Sequence, residues 1–155
     1  MNSSFPQDTE ELKKLYQKKH QNLISNFPKN NDPQKIYEKI IELGKALPKP
    51  KENIEQDIFL VDGCQSIAYL RSELKEDNTL FYEIHSEALI SAGLAALLFF
   101  IYQNEPPELI LFHPPLFIQE LGLNKSLSPG RSNGLASMYS KMKKDAINLI
   151  LKNSK

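Results

Sequence analysis

The chain has 155 residues, 41% hydrophobic and 25% charged, with 19 basic side chains balancing 19 acidic ones. That length suits one domain able to bury roughly two-thirds of its unfolded surface, and the composition is that of neither a disordered nor a fibrous chain. Zero net charge argues against nucleic-acid binding, which draws on a basic surplus, and a single cysteine excludes a disulfide framework and fits a reducing compartment.

The N-terminal stretch Met1 to Asp8 has no basic run and no apolar run, so no secretory signal is expected, and Asp8, Glu10 and Glu11 argue against an organelle transit peptide. Residues 8–27 are predicted helical, with Leu12, Leu15, Tyr16, Lys19, Leu23 and Ile24 on one face. Phe27-Pro28 breaks that helix. Asp32-Pro33 then supplies an N-cap and a first-turn proline for a second helix, whose buried stripe is expected to be Ile36, Tyr37, Ile40, Leu43 and Leu47. Pro48 to Lys51 ends it. Short strands are predicted at 58–61, 67–74 and 79–85, the last two joined by the polar turn Lys75 to Asn78.

Ser86 is placed to N-cap a long apolar helix over 87–103. Its most apolar part, Ala88 to Tyr102, spans roughly 22 Å as a helix, short of the ~30 Å hydrocarbon core, and reads as a buried core helix rather than a membrane span. Gly93 within it costs about 1 kcal/mol against alanine, which predicts close approach of another element. Pro106-Pro107 and His113-Pro114-Pro115 start two short helices, the second ending near Gly122. Ser128-Pro129 caps a final helix with an inner face of Leu135, Met138, Tyr139, Met142, Ala146, Leu149 and Ile150. Two helices, a small antiparallel sheet and then several helices make an α+β domain with one sheet face covered. The expectation is a soluble, cytoplasmic protein that binds neither membrane nor nucleic acid.

The sole cysteine, Cys64, stands in Leu60-Val61-Asp62-Gly63-Cys64-Gln65-Ser66-Ile67, between two strand-like runs. Gly63 takes positive φ at no steric cost, so a tight turn is predicted with the thiol near its tip. Two readings stand: a reactive thiol, its anion favoured by turn N–H groups or a nearby arginine, or a small buried hydrophobe. The turn setting favours the first. His20, His85 and His113 fall at no ligand spacing, and one cysteine holds neither a structural zinc nor an iron–sulfur cluster within a single chain. A cysteine hydrolase needs a histidine beside the nucleophile, and His85, ending a predicted strand, is the one able to approach the sheet. There is no glycine-rich phosphate loop, and nothing marks the chain as a carrier of pyridoxal phosphate.

The second distinctive stretch is Leu127-Ser128-Pro129-Gly130-Arg131-Ser132-Asn133-Gly134-Leu135. Capping explains Ser128 and Pro129. Arginine in a first helical turn opposes the helix dipole, so Arg131 is expected to have an acidic or partner-directed role. Two unusual loops, each near the end of an element, suggest one shared surface.

With these residues in view, the chain resembles the SufE family of sulfur acceptors, including the related CsdE proteins. Val61-Asp62-Gly63-Cys64-Gln65-Ser66 resembles the family's Val-x-Gly-Cys-Gln-Ser signature. Ile40 to Pro48 resembles its second-helix motif, Gly93 to Leu98 its apolar helix, and Leu121-Gly122-Leu123 with Leu127 to Leu135 its C-terminal signature. The resemblance runs from about residue 20 to 150 and implies one SufE-like domain over 1–155 with the first ~20 residues as an extension. Phe59 stands where the family often has Asn, and Tyr69 where it often has Trp.

The resemblance implies an α+β fold akin to the U-type cluster scaffolds, with about three strands packed between N- and C-terminal helices. It implies a carrier rather than an enzyme. Cys64 takes sulfur from the persulfide of a SufS-like, pyridoxal-phosphate-dependent cysteine desulfurase, stimulates that enzyme, and passes the sulfur to a SufBCD-type scaffold complex. The pyridoxal phosphate belongs to the desulfurase, and this chain binds no cofactor or metal of its own. By position, Gly63, Gln65, Ser66, Glu87 and Arg131 support the loop or face the partner; a first-turn acid suiting the helix dipole is the plainer reading of Glu87. A homodimer is compatible with the resemblance. The competing functions are a stand-alone enzyme built on Cys64 and His85, and an interaction module with an inert Cys64. Transfer by thiolate attack on a persulfide predicts that the loop tucks its sulfur against apolar side chains at rest and swings out on the partner.

Overall fold

The computed structural model describes residues 6–153. Thr9 caps the first helix, α1 (Glu10–Ile24), its side-chain oxygen accepting from the Leu12 N–H at 3.1 Å. α1 stops short of the predicted end because the chain turns at Ser25 and Asn26 to bury Phe27. Leu12, Tyr16 and Leu23 lie in the core, so residues 10–20 are built into the domain by a full helical face.

Asp32 caps α2 (Pro33–Lys45) by accepting from Gln34 N–H at 3.0 Å, with Pro33 in the first turn as expected. Ile36 and Ile40 are its buried residues, whereas Tyr37, assigned to the same stripe, is 44% exposed: it lies one position off the face that meets α3. α3 (Leu89–Tyr102) is the central helix, with Leu94, Ala95, Leu97, Leu98 and Ile101 buried. The close approach expected at Gly93 is to α2. A methyl at Gly93 would lie 2.3 Å from the Ile40 carbonyl oxygen, and one at Gly44 would lie 2.5 Å from the Gly93 nitrogen. Backbone meets backbone at this crossing, and no side chain fits between.

β1 (Ala68–Leu74) and β2 (Leu80–Ser86) form an antiparallel pair, from Ala68 opposite Ser86 to Leu74 opposite Leu80. The α+β class holds, with two corrections. The expected strand at 58–61 is a 3-10 turn over Asp57–Phe59 followed by a single bridge from Leu60 to Tyr69, so the sheet has two strands among the described residues. Ser86 is the last residue of β2 and not a helix cap. Its hydroxyl donates to the Ile67 carbonyl at 3.0 Å, and α3 begins after Ala88 with no side-chain cap.

Ala68, Leu70, Tyr82 and Ile84 are buried in the core. Glu83 is also buried, with its carboxylate accepting from Arg71 Nε and from the Lys51 N–H, each at 2.8 Å. Burial alone would raise its pKa; the two hydrogen bonds and the adjacent guanidinium more than offset that and hold it below the usual carboxylate range. The bond to Lys51 ties the segment after α2 down onto the sheet.

α4 (Pro107–Phe112), α5 (Phe117–Glu120) and α6 (Leu123–Ser126) lead to the long α7 (Pro129–Asn153). Gly122, at φ +68, ends the α5 segment as its sequence implies. Ser128 Oγ accepts from Arg131 N–H at 3.3 Å at the start of α7, and Leu135, Met138, Met142 and Ala146 face the core.

The Gly44–Gly93 crossing leaves no slack. Gly93→Ala is expected to destabilise the protein by roughly 1–3 kcal/mol, as overpacking does, despite alanine's better helix propensity. Urea unfolding checks this; an unchanged or raised midpoint would show that the helices separate at no cost.

Candidate functional site at Cys64

The Cys64 loop is fastened at its foot. Val61 N–H donates to the Ala68 carbonyl at 2.9 Å, Leu60 bridges to Tyr69, and Ser86 Oγ holds the Ile67 carbonyl. Between these points Gly63 turns the chain at φ +84, a conformation that side-chain-bearing residues avoid. Cys64 is partly buried and packs against the core. Its thiol donates to the Gly134 carbonyl of α7 at a sulfur–oxygen distance of 3.7 Å.

Beside the sulfur is a cavity of about 20 Å³, walled chiefly by Ala68, Leu94, Ala95, Leu135 and Met138 together with Arg131 and Ser91. A space of this size has room for about one water-sized atom. Burial pushes the Cys64 thiol up from its ordinary pKa, because the thiolate loses solvation there. The turn N–H groups and the arginine expected to favour the anion do not reach the sulfur. At rest the neutral thiol is the favoured form.

Arg131 lies in the first turn of α7, and its Nη1 donates to Ser66 Oγ and to Ser91 Oγ, each at 3.2 Å. The partners are two hydroxyls and not the acid that its position suggested. One guanidinium therefore joins the far side of the Cys64 loop, the first turn of α3 and the start of α7. Ser91 carries no signal in the sequence: it is one serine on an apolar helix, 40 positions from Arg131.

Glu87 is exposed in the link between β2 and α3, ahead of the first helical turn, with no hydrogen-bond or ion-pair partner among the described residues. Glu87 thus stands just before the N-cap Ala88 and not in the first turn where it was expected. His85 faces Tyr69 across the strand pair, and its Nε2 lies 3.1 Å from Glu55 Oε1. It does not line the Cys64 cavity, so the structure does not assemble the Cys64–His85 pair. His20 pairs with Glu120 and His113 with Asp8, and among the described residues no three His, Cys, Asp or Glu side chains are grouped to hold a metal.

Residues 21–146, which include the loop, Arg131 and the cavity wall, match the family model for SufE, described as an Fe-S metabolism associated domain. The chain belongs to the SufE family. A SufE-like protein 1 of Arabidopsis thaliana, labelled chloroplastic/mitochondrial, is 34% identical over 134 residues, covering 86% of this chain and 36% of that protein. The chain thus spans little more than a third of that longer relative. An uncharacterized SufE-like protein of Synechocystis is 34% identical over 125 residues, covering 81% of this chain and 78% of that one. The solution structure of a hypothetical protein from Thermus thermophilus superposes with a TM-score of 0.65 at 21% identity, over 91% of this chain and 96% of that one, and shares the fold.

Within this SufE-family chain, Phe59 closes the 3-10 turn before the loop and Tyr69 makes the bridge to Leu60, so the two departures from the family pattern sit at the loop's foot. No helix among the described residues is long and apolar enough to cross a membrane.

Two outcomes are expected. Alkylation of Cys64 in the folded protein should rise with pH about a midpoint above the ordinary thiol value of ~8.5, and return to that value in urea. The sign follows from the raised folded-state pKa. The thiol's contribution to stability is fully present below the unfolded value and fades as pH rises through the folded one. A folded-state midpoint at or below the unfolded one would contradict the buried neutral thiol. Second, Arg131→Met should leave Ser66 and Ser91 unpaired, costing roughly 1–3 kcal/mol, and speed alkylation of the loosened loop; equal rates would show that the arginine does not restrain it.

Proposed function

We propose that this protein is a sulfur carrier: Cys64 accepts the outer sulfur of a cysteine persulfide on a pyridoxal-phosphate-dependent, SufS-like cysteine desulfurase, and delivers it to a SufBCD-type iron–sulfur scaffold complex. The observation that carries this reading is the single thiol on a clamped loop, with an apolar recess of about one atom beside its sulfur.

The transfer balances without an external oxidant. The Cys64 thiolate attacks the outer sulfur of the donor persulfide, a new S–S bond forms at Cys64, and the donor's own S–S bond breaks. The donor cysteine leaves as a thiolate and takes up the proton Cys64 lost. Sulfur changes hands between two protein cysteines, so the intrinsic free-energy change is small. Direction then comes from consumption downstream and from each loop's surroundings. In the free protein the neutral thiol is a poor nucleophile, which restricts the reaction to the complex. The recess offers the outer sulfur of the product a dry place away from cellular thiols and oxidants.

The desulfurase brings the pyridoxal phosphate, and this chain acts as its acceptor and activator rather than as an enzyme in its own right. A reducing cytoplasm suits a free, functional thiol. The stand-alone enzyme has no support in the geometry, since His85 lies beside Glu55 and is absent from the cavity wall.

The test is to incubate the protein with a SufS-like desulfurase and cysteine and to weigh it intact. One added sulfur atom at Cys64, absent in Cys64→Ser, together with faster desulfurase turnover that the same substitution abolishes, is the expected result. Stimulation undiminished in Cys64→Ser would make the chain an interaction module, and turnover of a small substrate without any desulfurase would make it an enzyme.

A further inference from the structure

A groove of about 610 Å³ runs between α1 and the segment 113–120, and the chemistry at Cys64 makes no use of it. Its α1 wall, from Lys13 to Gln21, is roughly 12 Å long. Most of that wall precedes residues 21–146, so the family match does not account for the groove. Both walls are fixed in advance. The Tyr16 hydroxyl donates to the Pro114 carbonyl at 2.6 Å and accepts from the Leu116 N–H at 2.9 Å. Tyr102, the last residue of α3, donates to the His113 carbonyl at 2.7 Å, and Tyr139 of α7 donates to the Ile110 carbonyl at 3.3 Å. Hydroxyls from three helices thus hold one Pro-Pro strap, and the Tyr16 ring stacks with His20 and with His113. A groove built this way loses little freedom when it is filled. Its charges are unbalanced. The carboxylates of Glu120 and Asp8 are engaged by His20 and His113. Lys13 and Lys18 are exposed in the lining, and neither has an ion-pair or hydrogen-bond partner among the described residues. Glu10 and Glu11, near the start of α1, lie outside the lining.

We propose that this groove docks a short acidic segment of a partner protein, with a large apolar side chain of that segment against Leu116 and Pro114 and its carboxylates on Lys13 and Lys18. The length of the wall matches about two helical turns or three to four extended residues. Leu116 leaves its side chain exposed there as an apolar contact, and Gln17 and Gln21 each offer a donor and an acceptor, as a peptide backbone requires. Two lysines on an apolar lining suit a peptide better than a nucleic acid, which needs a dense basic track. The inference goes beyond the sulfur-carrier reading and does not rest on it. Tyr102 and Ser91 mark the two ends of α3, eleven residues or roughly 16 Å apart, and Ser91 belongs to the Arg131 cluster beside Cys64. A partner held at the groove therefore leaves the Cys64 face uncovered, and its tether raises the local concentration of whatever else it carries.

The test selects displayed random peptides on the whole Cys64→Ser protein, which has no thiol to couple with them. The selected sequences are then synthesised with a fluorophore, and their binding is read by fluorescence anisotropy. They should combine Asp or Glu with Leu or Phe. The double variant Lys13→Glu/Lys18→Glu should bind them at least about tenfold more weakly, as reversal of two cations at a charged contact implies, and added sodium chloride should weaken the parent complex. Leu116→Asp should lose binding as well. Lys35→Glu, at an exposed position of α2 outside the groove, should bind as the parent does. Circular dichroism identifies the folded variants; should Leu116→Asp unfold, the charge reversal at two exposed lysines decides. The proposal is overturned if no peptide is selected, if the selected peptides lack acids, if binding survives the charge reversal, or if Lys35→Glu loses as much. Displacement by inorganic phosphate at an ionic strength where sodium chloride has no effect would make the groove a small-anion site and overturn it too.

Discussion

The contact between the Cys64 thiol and the Gly134 carbonyl sets the terms for the rest of the molecule. A thiol that donates a hydrogen bond is by definition protonated, and the thiolate is the nucleophile. The resting geometry and the reactive species therefore exclude each other. Burial works in the same direction, since an anion at this position would give up much of its hydration. Reactivity at this site is a question of where the loop lies rather than of which base stands nearby, and no histidine is needed beside the sulfur to explain it.

That geometry is set some distance away. The recess beside the sulfur is walled partly by Leu94 and Ala95 of α3, and Arg131 reaches Ser91 on the same helix. The position of α3 is fixed by its crossing with α2, where Gly44 and Gly93 let the two backbones touch. A larger residue in that crossing would push α3 away from α2, and Ser91, two positions before Gly93, would move with it. The helix pair thus serves as more than core: it determines whether the recess has the width of one atom. Glu83 acts similarly at the middle of the sheet, fastening the segment after α2 against β1 and β2.

Features with local causes were legible from the sequence. The caps at Asp32 and Ser128, the proline starts of α2 and α4, and the turn at Gly63 all follow from residues within a few positions of one another. The failures share the opposite character. The segment 58–61 has the composition of a strand, but after a 3-10 turn it makes only the Leu60–Tyr69 bridge and the Val61–Ala68 bond to β1, so tertiary position overrode β propensity. Ser86 has the identity of a helix cap, but a carbonyl 19 positions away claimed its hydroxyl. The dipole argument rightly marked Arg131 as needing a reason to be there. The reason, two serine hydroxyls 65 and 40 positions away, has no trace in the local pattern. Gly130 and Gly134 are conspicuous in the sequence as helix-unfavourable residues, but what lies over them is visible only once the loop is folded back.

The anchors at the loop's foot limit how far the sulfur travels. Cys64 follows Val61 by three residues, and the Val61–Ala68 bond belongs to the ladder that continues into β1. An extended chain gains at most ~3.3–3.6 Å per residue, so Cys64 reaches about 10 Å from its foot without unzipping the sheet. The Ser66–Arg131 bond shortens that further for as long as it holds. A persulfide buried deep in another protein lies beyond this range unless the partner's surface comes to meet the foot. The residues around the foot suit such an approach: Ile58 and Ile67 are 76% and 67% exposed, and Leu89, just after Glu87, is 57% exposed. Large apolar side chains left in water beside the Cys64 loop give an incoming surface apolar area to cover. Burying them under a partner's surface would supply free energy right beside the Cys64 loop.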